Sequence, residues 1–153
     1  MKIKKYVLLK NNFIKIDGKK LFRIKALKDF SIIKKDSLGG YIEKEENLSQ
    51  VGNAWVSGKA WVFGNARVSD NARVSDDAWV FGDAWVFDNA RVFDNARVSG
   101  NARVSGKLKI NFVLCSKFEF EFNWQVKLWK KLEAQFEKEN NKRLKRYEGD
   151  ELE

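Results

Sequence analysis

From Gly52 to Ser105 the chain repeats one six-residue pattern nine times without a break: Gly or Asp, then Asn (sometimes Lys or Asp), Ala, Trp or Arg, Val, and Ser or Phe. The first hexad is Gly52-Asn53-Ala54-Trp55-Val56-Ser57 and the ninth Gly100-Asn101-Ala102-Arg103-Val104-Ser105. A tenth, Gly106-Lys107-Leu108-Lys109-Ile110-Asn111, keeps the period and enlarges both apolar positions. A period of six suits neither a helical stripe nor a long strand; it suits a short strand and a corner, repeated. Ala and Val of each hexad then point inward, while Trp/Arg and Ser/Phe point outward. The Gly/Asp-Asn pair falls at the corner, where Gly and Asn tolerate left-handed backbone. Three hexads close a triangular coil, so the pattern predicts an all-β, parallel β-helix of three or more coils.

The flanks read differently. Asp17-Gly18 is a two-residue turn between Phe13–Ile16 and Leu21–Ile24, which predicts a hairpin. A solenoid end needs its open strand edges covered, so this hairpin is expected to be a cap. Phe118-Glu119-Phe120-Glu121-Phe122 alternates as a strand with one apolar face. From Asn123, an N-cap residue type, Trp124, Leu128, Leu132 and Phe136 recur every four residues beside Trp129. This predicts a helix packed on the solenoid or on a neighbouring subunit. The expected organisation is a basic β cap over residues 1–37, a β-helix over 38–111, and a strand plus amphipathic helix over 112–153.

The recurrence of Val56 and Ala60 through Val98 and Ala102, an aliphatic residue with a small one four later, resembles the bacterial hexapeptide-repeat superfamily of left-handed β-helices. The flank Leu38-Gly39-Gly40-Tyr41-Ile42-Glu43, followed by Asn47-Leu48-Ser49, is similar to uncharacterised bacterial and phage proteins called acetyltransferase-like from the repeat alone. The resemblance implies a homotrimer with ligands in the clefts between subunits. It does not carry over the superfamily's chemistry. Its acyltransferases use a histidine base and its carbonic anhydrases three zinc-binding histidines, and this chain has no histidine. Cys115 alone supplies neither a zinc site nor an activated nucleophile and is read as a buried structural thiol. The corner carboxylates Asp70, Asp76, Asp77, Asp83, Asp88 and Asp94 are explained by turn chemistry. No catalytic residue, metal site or cofactor is assigned, and the chain is expected not to be an enzyme.

The net charge of +9 changes the picture through its placement. Residues 1–40 hold twelve Lys/Arg against three Asp, whereas the strict repeats balance six against six. Attraction to anions is therefore expected to begin at the N-terminus. The single cysteine and the lack of a long apolar stretch at the start predict a cytoplasmic protein with no membrane contact, in the host cytoplasm if phage-encoded.

The outward positions carry the candidate site. Residues eighteen apart share a face, placing Trp61/Phe63, Trp79/Phe81 and Arg97/Ser99 on one face and Arg67/Ser69, Trp85/Phe87 and Arg103/Ser105 on the next. The third carries Trp55/Ser57, Arg73/Ser75 and Arg91/Phe93. Arg67, Trp85 and Arg103 are expected to alternate cation and ring. Eight outward aromatics are more than a surface usually leaves bare, so they mark a subunit interface, a ligand pocket, or both. The candidate residues are Trp61, Phe63, Trp79, Phe81, Arg67, Trp85, Phe87, Arg97 and Arg103. Three functions follow: a non-catalytic protein sequestering a small anionic, nucleotide-like ligand, which in a phage would act against host defence; a protein- or nucleic-acid-binding inhibitor or scaffold working through the basic N-terminus; and a degenerate hexapeptide acyltransferase.

Overall fold

The computed structural model describes residues 3–115 and 119–120 and, toward the C-terminus, the helical positions 127, 128, 131, 132, 134, 135 and 138. Strand β1 (Tyr6–Ile16) turns at Asp17-Gly18 into β2 (Lys19–Ala26), and β2 pairs antiparallel with β3 (Leu38–Ile42). On its other edge β3 pairs in parallel with Trp61–Val62, opening a solenoid of short parallel strands. The first face continues through Trp79–Val80, Arg97–Ser99 and Val113–Cys115. The second runs Arg67–Val68, Trp85–Val86, Arg103–Val104 and Glu119–Phe120, and the third Trp55–Val56, Arg73–Val74, Arg91–Val92 and Lys109–Ile110. Ala and Val of every hexad are buried, so the interior is a stack of small and β-branched side chains that two-residue strands can bring together. Consecutive coils are joined by backbone bonds such as Trp61 N–H to Ala78 carbonyl and Trp79 N–H to Ala96 carbonyl, both 2.9 Å.

The three faces match the expected columns, and the solenoid is longer than the strict repeats. Tyr41 pairs with Trp61 and Leu48 with Val68, steps of twenty, because the corner around Gln50 carries two extra residues. Arg97 pairs with Val113 and Arg103 with Glu119, steps of sixteen. The hairpin extends the first face edgewise and turns Tyr6, Leu8, Ile24 and Ala26 into the same core.

The corners differ from the expectation in one respect. The left-handed residue is the first of each pair, with φ from 54° at Asp94 to 76° at Gly52, and the Asn that follows is not left-handed. Asn instead bonds between coils, Asn53 Nδ2 to Asn71 Oδ1 and Asn65 Nδ2 to Asp83 Oδ1, each 3.1 Å. Asp at the first position adopts the strained backbone and also accepts from the coil above: Asp70 Oδ2 from Asp88 N–H and Asp76 Oδ2 from Asp94 N–H, both 3.2 Å.

Gly39 and Gly40 lie where hairpin and first coil meet. A Cβ on Gly39 would come within 2.5 Å of Ile24 and one on Gly40 within 2.6 Å of the Ala60 carbonyl. Toward the C-terminus, Leu128 and Leu132 are exposed. Asn123, Trp124, Trp129 and Phe136 lie outside the described residues, as does the Cys115 side chain. No helix among the described residues is long and apolar enough to cross a membrane.

Candidate functional site

On the first face the pairing register sets like rings above one another. The Trp61 and Trp79 rings stack at 4.3 Å and 18°, and Phe63 and Phe81 at 5.1 Å and 3°. The Arg97 guanidinium lies 3.9 Å from the Trp79 ring centre. Its Nη1 donates to the carbonyls of Asp77, Asn95 and Ala96 at 3.1–3.2 Å, fixing the cation in place. Both faces of Trp79 are thereby occupied, so no base can slide between Trp61 and Arg97. The hairpin residue Ile14, Tyr41, Lys59 and Asp77 complete a cleft of about 370 Å³ beside this column.

The second face holds Arg67, Trp85, Phe87 and Arg103, so the nine candidate residues divide between two faces and form no single pocket within one chain. Trp85 tilts against Phe87 at 4.5 Å and donates from Nε1 to Ser69 Oγ at 3.1 Å. Arg103 sits over Trp85 at 4.9 Å and over Phe87 at 5.5 Å. The expected cation–ring alternation is therefore half realised. Among the described residues Arg67 makes no such contact, because the Ser69 bond and the Phe87 ring fix where Trp85 lies.

The outward aromatics are also less bare than their number suggested. Ring-to-ring contact leaves Trp61, Phe63, Trp79, Phe81 and Phe87 half-buried, Phe93 is half-buried with no ring partner among the described residues, and only Trp85 is exposed. Trp55 is 3% exposed, since Phe30 meets its ring at 5.3 Å and Tyr6 at 6.3 Å, both edge-on. The segment covering Trp55 is a tight turn in which Phe30 and Ile33 exchange backbone bonds around Ser31 and Ile32.

That turn makes a wall of a cleft of about 610 Å³, which the sequence reading did not single out. Arg73, Arg91 and Lys109 occupy successive positions along the third face, in register, and all three line it. Ser57, Ser75 and Phe93 form the neighbouring column, and Ile32 and Ile33 close one side. Arg73 donates from Nη2 to Ser31 Oγ at 3.1 Å, tying the wall to the column. Among the described residues none of the three cations is in a salt bridge, and Asp76 is the cleft's one carboxylate. At a coil spacing of ~4.8 Å, adjacent unit charges repel by roughly 1 kcal/mol even in water. The outward column Trp55, Arg73, Arg91, Lys109 was present in the sequence; the turn that converts it into a cleft was not.

Among the described residues no group of three or more His, Cys, Asp or Glu side chains could hold a metal ion. A search of curated proteins gave no match. The family description that does match is the YdcK β-solenoid repeat, over residues 66–82 and 96–107. Both stretches lie within the coils that carry these faces, and with the parallel strand pairing they identify the chain as carrying a repeat of the β-solenoid kind.

Proposed function

We propose that the chain is a non-catalytic binding protein that holds a small anionic, nucleotide-like ligand in the third-face cleft. The observation that carries this reading is the column Arg73–Arg91–Lys109, three aligned cations without a carboxylate pair on the wall of a 610 Å³ cleft. A cleft of this size suits a small molecule. Phosphate oxygens would accept from the two guanidinium groups and the ammonium, and from the hydroxyls of Ser57 and Ser75. Phe93 with Ile32 and Ile33 offers an apolar wall to a planar base. With no histidine in the chain, nothing here serves as an imidazole base, and retention of the ligand is the simplest outcome. In a phage-infected cell such retention would lower the free concentration of a signalling nucleotide.

The test is isothermal titration calorimetry with mono-, di- and cyclic nucleotides, on the wild type and on Arg91→Gln/Lys109→Gln. Binding by the wild type that the double substitution abolishes supports the reading. A full panel of silent titrations removes it.

The first face favours a second, compatible role. Its rings present edges, and stacked Trp and Phe beside a fixed Arg are the residue types that anchor subunit contacts. A trimer built on Trp61, Phe63, Trp79 and Phe81 predicts that Trp61→Glu yields a folded monomer in native mass spectrometry. A wild type that is already monomeric excludes it.

A further inference from the structure

The β1–β2 hairpin carries a feature that neither the core nor the cleft requires. In its register Lys15 stands directly opposite Lys20, and Phe13 opposite Phe22. Direct partners on paired strands share a face, with Cβ atoms ~5 Å apart, and like charges in that position destabilise a sheet. Lys20 lies over the Phe13 ring at 4.8 Å and Lys10 over the Phe22 ring at 4.4 Å, so all three ammonium groups sit on the side bearing the two rings. The opposite side holds Ile14, which lines the first-face cleft, and Leu21, which is buried. Among the described residues no carboxylate pairs with Lys10, Lys15 or Lys20; the hairpin's ion pairs use Lys19 with Glu43 and Lys25 with Asp36. Asp17 is the only acidic residue between Met1 and Lys28, a stretch with ten Lys/Arg.

From this arrangement we infer that the ring-bearing face of the hairpin is a docking surface for the phosphate backbone of nucleic acid. A phosphate seated between Lys15 and Lys20 turns their repulsion into two attractions, and the next phosphate along the strand meets Lys10. The rings act as supports: each is covered by an ammonium group, which holds the cations at a fixed height above the sheet. The bare apolar area is confined to the Phe13 ring, which is 38% exposed, while Phe22 is half-buried. A lipid surface would need a wider area for insertion, which favours a polyanion in water over a bilayer. Nothing on this face reads base edges, so the binding is indifferent to sequence. It is also independent of the third-face cleft, which lies on another part of the molecule.

The experiment is fluorescence anisotropy of a labelled, mixed-sequence single strand of about 20 nucleotides, titrated with the full chain between roughly 50 and 200 mM salt. Three phosphate contacts predict a slope of log K against log salt of about −2 or steeper. Lys15→Ser/Lys20→Ser should flatten that slope by about 1.4 and weaken binding roughly tenfold or more at the low-salt end. The same variant should melt at or above the wild-type temperature, because its opposed charges are gone, and should bind nucleotides in the cleft as before. Lys107→Ser, an exposed lysine at a solenoid corner, should change neither slope nor affinity. Absence of binding at low salt, an unchanged slope in Lys15→Ser/Lys20→Ser, or association with anionic vesicles but not with the oligonucleotide would each overturn the assignment.

Discussion

Lys5 and Ala54, 49 residues apart, meet at the N-terminal end of the solenoid, where Lys5 Nζ donates to the Ala54 carbonyl at 2.9 Å. One coil higher, the equivalent carbonyl of Ala72 accepts from Trp55 N–H. Lys5 therefore replaces the strand that a further coil would have supplied. It also reaches the Gly52 carbonyl at 3.4 Å, whose counterpart on Asp70 accepts from Asn53 N–H. Tyr6 does the same on the second face, donating to the Leu48 carbonyl at 2.6 Å where Val68 accepts from Ser49 N–H. The hairpin thus caps the solenoid by finishing its hydrogen-bond ladder with side chains as well as by covering its core.

Lys5 is 1% exposed and is held by carbonyls, with no carboxylate partner among the described residues, so burial, with Lys28 adding to it, pulls its ammonium down to about 8 from 10.5. Between those two values the unfolded chain keeps a proton that the folded chain has released, and stability must rise with pH across this window. The full gain is roughly 3 kcal/mol. Burial and the Glu45 and Glu46 carboxylates push the Tyr6 phenol well above its ordinary range, so above pH ~10 the unfolded chain ionises first and stability falls. Chemical denaturation from pH 7.5 to 11 should show a maximum near pH 10, where the Lys5 gain nears completion and the Tyr6 loss sets in. In Lys5→Met the rising limb should vanish while the fall at higher pH remains.

Asn47 is wholly buried and its amide is fully used. Its Oδ1 accepts from Lys44 N–H at 2.9 Å, and its Nδ2 donates to the carbonyls of Ala66 at 2.9 Å and Gly64 at 3.1 Å. One coil up, Ala84 and Gly82 receive backbone N–H groups instead, from Arg67 and Asn65. Asn47→Ala leaves three backbone groups at a buried site without partners, and at ~1–3 kcal/mol for each unmet group the loss should exceed 3 kcal/mol. Asn47→Asp retains the acceptor but loses both donors, so it should be nearly as harmful. Urea midpoints at constant m-value measure both.

The division of residues among faces was legible because a strict period of eighteen leaves one register in which every Val meets a Val. The same arithmetic failed at the ends, where corners of different length give steps of twenty and sixteen that only the enlarged inward residues Leu48, Leu108 and Leu114 hint at. Trp55 shows what a repeat cannot reveal. Within its hexad it is equivalent to Trp61 and Trp79, yet it is buried because a turn from outside the repeat lies on it. The third-face cleft was missed for the same reason, since Ile32 and Ile33 are distant in sequence from Arg91. Asp at the corners was read as turn chemistry, and its second role, accepting from the coil above, depends on a spacing between coils that composition does not encode.

Gly39 tests whether the Gly-Gly pair is structural. Its surroundings are the Ile24 side chain at 2.5 Å and the Val56 carbonyl at 2.6 Å from a would-be Cβ, on opposite partners, so neither can yield without moving the hairpin off the first coil. Gly39→Ala should cost on the order of 2–3 kcal/mol by overpacking. Pairing it with Ile24→Val, which removes one of the clashing carbons, should recover part of the loss. A thermodynamic cycle over the four proteins checks this, and additive effects would place the strain elsewhere.

Arg91 separates stability from binding most directly. It stands between Arg73 and Lys109 in register, so it is repelled from both sides, and among the described residues its side chain has no hydrogen bond or ion pair. Replacing it with Gln keeps the outward stem and removes two like-charge contacts, each worth roughly 1 kcal/mol before screening. Arg91→Gln should therefore raise the urea midpoint at low salt by an amount corresponding to about 1 kcal/mol. The gain should shrink toward zero near 1 M salt, where the screening length falls to ~3 Å. The same substitution should weaken any phosphate-bearing ligand. A residue whose removal stabilises the empty protein and weakens binding is the signature of a site held ready at a cost to the fold. If Arg91→Gln destabilised the chain at every salt concentration, the column would be structural and the cleft would lose its strongest support.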